Sequence, residues 1–162
     1  MAISVGNRLP EAMLLKIGAN GPEKVKLGDR LAGRKVVIFG LPGAFTPTCD
    51  SAHLPGFMRT RDAICEKRVA EIICVSVNDP HVMKAWGEAT GATKAGLTLL
   101  ADPESLFTTA IGMKYDAPDA GLIARSRRYA MLVENGVVTV LHEEVARGVC
   151  DVSSGEAMLA VL

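Results

Sequence analysis

An α/β fold built on a central mixed sheet is what the sequence predicts, and three observations carry it. Short runs are apolar without interruption, Val36-Val37-Ile38-Phe39 and Ile72-Ile73-Cys74-Val75 above all, as strands covered on both faces require. Longer stretches between such runs open on helix-start residues, as in Asn78-Asp79-Pro80. Near the C-terminus Glu134-Asn135-Gly136 separates two apolar runs, and Asn-Gly in that setting is a strong hairpin signal.

Taken in order, residues 11–17 and 36–41 read as strands, with the turn-rich Gly18-Ala19-Asn20-Gly21-Pro22 between them. A Gly/Pro-rich turn follows, then a helix from about Asp50 towards Arg68. Residues 71–77 form a strongly apolar strand, and Asp79-Pro80 starts a helix near 81–90. Leu97 to Leu100 is a short strand, and Asp102-Pro103-Glu104 starts a helix near 103–111 by the same logic. Tyr129 to Val133 and Val137 to Leu141 are the hairpin strands. Ser153 or Ser154 caps a final amphipathic helix to Leu162. The order β-β-α-β-α-β-α-β-β-α contains a βαβ half and a ββα half. That is the thioredoxin-like pattern, a central mixed sheet flanked by helices, here with an insertion between the halves. At 162 residues, without repeats or low-complexity linkers, a single domain over 1–162 accounts for the chain.

Composition removes several function classes. Although 49% of the residues are hydrophobic, no run approaches the ~20 apolar residues of a membrane helix, so no membrane partner is expected. Met1 to Arg8 shows no basic region followed by an apolar core, so the expected location is cytoplasmic. Eighteen acidic and eighteen basic residues balance, which gives no reason to expect nucleic acid. Cys49, Cys65, Cys74 and Cys150 would stay reduced in the cytosol rather than form a disulfide framework. They form no C-x-x-C pair, and His53, His81 and His142 form no H-x-x-x-H pair, so no metal is expected. Such cysteines are inert or catalytic.

One of them has a catalytic setting. In Pro42-Gly43-Ala44-Phe45-Thr46-Pro47-Thr48-Cys49-Asp50 a strand delivers a tight turn, and Cys49 opens what reads as a helix. The first N–H groups of a helix lack intrahelical partners, and the macrodipole adds partial positive charge there. Both favour a thiolate over a thiol. The bland role for a free cysteine is a small buried hydrophobe; two prolines and a threonine around Cys49 favour the reactive one.

This segment, continued by His53-Leu54-Pro55-Gly56-Phe57, resembles the active-site segment of peroxiredoxins, specifically the peroxiredoxin-5 and plant type II group. Four further segments lie in the matching order: Cys74 to Pro80, Lys84 to Gly87, Leu100 to Pro103, and Arg125 to Tyr129. The resemblance implies a thiol peroxidase for hydrogen peroxide and alkyl hydroperoxides that uses no metal, haem or flavin cofactor. The family's pattern P-x-x-x-T-x-x-C with a distant arginine falls on Pro42, Thr46, Cys49 and Arg128. Cys49 would attack the terminal peroxide oxygen and become a sulfenic acid. Thr46 would accept from the peroxide and hold the thiolate, Arg128 would stabilise thiolate and leaving oxygen, and Pro42 would exclude water.

On the residues alone, Pro42 and Thr46 are also ordinary turn or cap residues. Arg125, Arg127 and Arg128 equally describe a solvated charge run or a phosphate patch; strand alternation would put Arg127 and Arg128 on opposite faces. The resemblance selects Arg128, with Arg125 in support. His53, four residues past Cys49, is either a contact behind the site or a packed polar residue. Trp86 and Phe57 read as core or interface residues. Asp50, where relatives often carry serine, is expected to point to solvent.

A second thiol must reduce the sulfenic acid. The resemblance points to Cys74, although a cysteine in the middle of an apolar strand is more often inert; Cys150 lies near, but out of register with, the resolving cysteine of the animal branch. Glutathione with glutaredoxin, or thioredoxin, would complete the cycle, and a homodimer is implied. A peroxide-responsive sensor or holdase would use the same Cys49. A general thiol–disulfide oxidoreductase would need a cysteine where Thr46 stands.

Overall fold

The structure, a computed structural model, describes residues 2–162. The chain opens with a hairpin of β1 (Met13–Gly18) and β2 (Gly21–Lys26), then a one-turn helix α1 (Leu27–Leu31) and the central strand β3 (Lys35–Leu41). A π-helical turn (Cys49–His53) leads into α2 (Leu54–Glu66), followed by β4 (Glu71–Ser76), α3 (Pro80–Thr90), β5 (Thr98–Ala101) and α4 (Leu106–Ala110). A separate hairpin, β6 (Lys114–Ala117) and β7 (Leu122–Ser126), precedes β8 (Tyr129–Glu134), β9 (Val137–Glu143) and α5 (Gly155–Leu159). The main sheet has seven strands in the order β2-β1-β5-β4-β3-β8-β9. β3, β4 and β5 are parallel; the remaining neighbours are antiparallel.

Alternation along the central strands divides the core. Val37, Phe39 and Leu41 of β3 face one side with Ile72 and Cys74 of β4, and there they meet Leu54, Phe57 and Ile64 of α2, Trp86 of α3 and Met158 of α5. Val36, Ile38, Ile73 and Val75 face the other side, against Leu27 and Leu31 of α1 and Phe107 near Ile111. Both faces are covered, as the uninterrupted apolar runs predict. At Gly40 a Cβ would come within 2.3 Å of the Tyr129 ring, so only glycine lets that ring cross the strand.

Several elements differ from expectation. Residues 21–26 form β2 rather than a turn leading on to β3; β2 is an edge strand in which only Val25 is buried, so it carries no apolar run to read. The β6–β7 hairpin and α1 were not expected. The helix expected from Asp50 begins at Pro47, so Cys49 sits inside the first turn and does not open it. The helix expected from 103 starts at Leu106, because the Asp102 carboxylate reaches forward to cap the N–H groups of Leu106, Phe107 and Thr108. Ser154 is the residue that caps α5, through Ala157 N–H at 3.1 Å, and α5 ends at Leu159, not Leu162.

Candidate active site

The site forms where β3 ends. Its turn is held in several ways: Arg125 Nη1 donates to the Pro42 carbonyl at 3.1 Å, the Ala44 N–H donates to Asn78 Oδ1 at 3.0 Å, and Thr46 Oγ1 donates to the Gly43 carbonyl at 2.7 Å. A Cβ on Gly43 would stand 2.3 Å from Arg125 Nη1, so the absent side chain lets the guanidinium close on the turn. Phe45 takes a left-handed φ of 62°, and Pro47 then occupies the first helical position, where a missing N–H costs nothing. The next turn widens, with Leu54 N–H bonded to the Cys49 carbonyl.

Cys49 is fully buried, and Arg128 Nη2 donates to its Sγ at 3.3 Å. The same guanidinium donates through Nη1 to His53 Nδ1 at 3.0 Å. His53 Nε2 faces the Ser153 carbonyl at 2.9 Å. A carbonyl only accepts, so Nε2 carries the ring proton and Nδ1 keeps its lone pair for Arg128. Burial, with the Arg128 charge beside it, lowers the His53 pKa to about 3, so the imidazole stays neutral. Phe39 tilts against the ring at a centroid distance of 4.9 Å, and Phe57 stacks on Phe39 at 4.2 Å. Ser153 is fixed in turn by Glu144, whose Oε1 accepts from Ser153 N–H, Ser153 Oγ and Asp151 N–H.

Pro42, Thr46, Cys49, Arg128, His53 and Arg125 therefore gather at one end of the sheet. Arg127 turns away from this cluster to Glu143 and the Gly112 carbonyl. Two expectations need correction. The Thr46 hydroxyl spends its proton on Gly43, so it has none for the thiolate; its lone pairs remain for an approaching donor. Asp50 is exposed but does not simply point to solvent, because its Oδ1 accepts from Trp86 Nε1 at 2.8 Å. Trp86 and Phe57 are core residues.

The other cysteines are unequal. Cys74 is fully buried in the core cluster that contains Cys49, and burial pushes its thiol well above the ordinary range. Cys150 is half-buried in the loop after β9; burial raises its pKa, while Arg128 and the Ser153 hydroxyl pull it down. Cys65 lies on α2, away from the site.

A cleft leads outward from Arg128. One lobe, of about 160 Å³, is lined by Pro42, Tyr115, Arg128, Glu144, Arg147 and neighbouring residues; the adjoining lobe shares Pro42, Tyr115, Arg128 and Arg147 and adds Thr46 and Pro47. Tyr115 and Arg147 were missed from the sequence. Pro118-Asp119 with Gly121 marks the turn of the hairpin that carries Tyr115, but Arg147 lies in a loop with no such signal. A separate cleft of about 340 Å³, beside Lys16, Arg30 and Lys84, opens by Thr98 where β5 begins, and no cysteine lines it.

Residues 4–159 match the family described as Redoxin. The chain is 46% identical over 164 residues to Peroxiredoxin-2E-2, chloroplastic, of Oryza sativa, covering 99% of this chain and 72% of that protein. It is 42% identical over 161 residues to Peroxiredoxin-2C of Arabidopsis thaliana, covering 99% and 98%. The chain belongs to the peroxiredoxins. Among solved structures, reduced Prx3 from Vibrio vulnificus in complex with hydrogen peroxide superposes on this peroxiredoxin with a TM-score of 0.92 at 45% identity, over 98% of each chain. Membership makes this peroxiredoxin a thiol peroxidase on a thioredoxin-like fold, using peroxide and a thiol reductant. No helix among the described residues is long and apolar enough to cross a membrane.

Proposed function

We propose that Cys49 is the nucleophile of this peroxidase and that Thr46, Arg128 and Pro42 form the rest of its reacting shell. The observation that carries this reading is the Arg128 hydrogen bond to Cys49 Sγ at 3.3 Å. A charge-assisted donor inside a buried site faces the reacting sulfur and stays in place as charge moves onto oxygen. The thiolate attacks the terminal peroxide oxygen: the S–O bond forms, the O–O bond breaks, and the alkoxide or hydroxide leaves and takes a proton from solvent. Cys49 becomes a sulfenic acid. Thr46 Oγ1 accepts from the peroxide O–H, while Arg128 neutralises the leaving oxygen. Pro42 closes the wall against water. His53 and Arg125 position these groups, the first through Arg128 and the second through the Pro42 carbonyl.

A thiol then condenses with the sulfenic acid, releasing water and leaving a disulfide that a second thiol reduces. The reading assigns these thiols to glutathione with glutaredoxin, or to thioredoxin. If the chain supplies one itself, Cys150 is better placed than Cys74, whose burial keeps it protonated inside the core. The reading includes a homodimer, supported by Phe45, which is 55% exposed beside the active-site turn, and a thiol-reducing compartment of the cytoplasmic kind. Sedimentation and cell fractionation test these two parts.

The decisive experiment adds one equivalent of peroxide and traps the sulfenic acid with dimedone, read by mass spectrometry on wild type and Cys49→Ser. Label on Cys49 is expected. Peroxide turnover by Cys49→Ser would overturn the assignment. Cys150→Ser and Cys74→Ser, assayed with glutathione/glutaredoxin and with thioredoxin, identify the resolving thiol. Stoichiometric consumption without turnover on any of these reductants would instead mark a sensor or holdase.

A further inference from the structure

The cleft in front of Arg128 contains two polar groups that the peroxidase chemistry leaves unused. The Tyr115 hydroxyl is buried yet has no hydrogen-bond partner among the described residues, although a buried hydroxyl ordinarily finds one. Arg147 is exposed on the loop after β9 and lines both lobes of the cleft, as Tyr115 does. No salt bridge or side-chain hydrogen bond involving Arg147 occurs among the described residues, whereas its neighbours are committed. Arg127 pairs with Glu143, Arg125 holds the Pro42 carbonyl, and Arg128 holds Cys49 and His53. Glu144, the acidic residue of the cleft, spends Oε1 on three donors of its own loop.

Two further features bear on what the cleft would accept. Its outer wall is apolar where Leu122, Pro47 and Ala120 line it, so a carbon chain can lie against it. Burial raises the Tyr115 phenol pKa, with the charges of Arg147, Arg128 and Arg125 pulling against it, so three guanidinium groups bear on the unpartnered hydroxyl. A planar guanidinium is suited to a carboxylate, which it grips with two parallel N–H groups. Glutathione and fatty-acid hydroperoxides both carry a carboxylate, a few atoms from the thiol in the first and at the far end of a carbon chain from the hydroperoxide in the second.

We propose that Arg147, with the Tyr115 hydroxyl beside it, is a carboxylate-binding site at the mouth of the cleft, and that it selects reaction partners of Cys49 that carry a carboxylate. The proposal rests on the peroxidase reading above and adds a specificity-determining residue to it. The ligand chemistry is a carboxylate attached to either the hydroperoxide or the reducing thiol. Binding there holds the partner's reactive end over Arg128 and Thr46, which lowers KM for that partner more than it changes the chemical step.

The test compares acid with ester, so that a general defect cancels. In the first arm, stopped-flow kinetics give second-order rate constants for linoleic acid hydroperoxide and for its methyl ester, with wild type, Arg147→Ala and Tyr115→Phe. In the second arm the pre-formed Cys49 sulfenic acid is reduced by glutathione or by its diethyl ester. The acid-to-ester ratio is expected to fall about fivefold to tenfold in Arg147→Ala, in one arm or both, and by a smaller factor in Tyr115→Phe. The arm that responds names the source of the carboxylate. Arg147→Lys should recover part of the ratio, and added salt should lower it in the proteins that keep a cation at position 147 but not in Arg147→Ala. An unchanged ratio in both arms, with acid and ester slowed together, overturns the proposal. Wild-type turnover of hydrogen peroxide is recorded in the same preparations; its absence would count against the peroxidase reading itself, not against Arg147 alone.

Discussion

Arg128 and His53 show how much a single pair of side chains decides. Arg128 has two jobs at once, donating to sulfur and to a ring nitrogen, and a lysine could not reach both with one point charge. Arg128→Lys is therefore expected to lower kcat/KM for hydrogen peroxide by about 10²-fold or more, measured by competition kinetics, with the fold intact by circular dichroism. The His53 ring is neutral because burial and Arg128 hold its pKa near 3, below its unfolded value. Between those two pH values the unfolded chain binds the extra proton, so stability falls as pH falls from 6.5 and is full above it. Denaturation midpoints from pH 6.5 to 5, above most carboxylate titrations, should show this slope in wild type. In His53→Asn, which cannot titrate, the slope should flatten; an identical slope in both proteins would remove His53 as its cause.

Among the elements, the loop between β9 and α5 has the most influence on the site. Glu144 ties Asp151 and Ser153, Ser153 orients His53, and Thr48 of the helical turn that carries Cys49 donates to the Gly148 carbonyl at 3.0 Å. Glu144→Ala leaves two backbone N–H groups and a hydroxyl without their acceptor. About 1–3 kcal/mol of stability should be lost in urea titration, and amide exchange should rise first at residues 151–153. The β6–β7 hairpin, outside the main sheet, supplies Tyr115 and Arg125. Beyond Arg125 and Cys150, which the family resemblance singled out, neither element was legible as part of the site. The loop carries no periodic pattern, and the hairpin strands alternate half-buried and exposed residues that give no apolar run.

For the molecule as a whole, the sheet is both core and platform. Phe39 lies in the middle of β3, stacks on Phe57 of α2 and touches the His53 ring, so the same side chain fills the core and backs the active site. Phe39→Ala should cost about 3–5 kcal/mol by chemical denaturation, because the cavity opens at a fully buried position. Peroxide turnover should fall with it even where the chain remains folded, since His53 loses the wall that fixes its ring. A milder Phe39→Leu separates the two effects: stability mostly recovered but turnover still reduced is the expected pattern. The two-faced core was legible because β3, β4 and β8 are central strands with apolar residues on both sides. The edge hairpin of β1 and β2 was not fully legible, since an edge strand needs charge rather than apolar surface.

By itself the sequence determined the class of the fold, the order of its central strands and helices, and the residues Pro42, Thr46 and Cys49 that share one turn. Those features are local: apolar runs, caps, and residues a few positions apart that one turn must bring together. Only the tertiary structure decided how Arg128, which the family resemblance had selected, reaches the sulfur, how His53 holds it, and that Thr46 has already spent its proton. It also brought Tyr115 and Arg147 to the same cleft from segments 32 residues apart. Contacts across such separations depend on how sheet edges and loops close over one another, and no local periodicity encodes that closure.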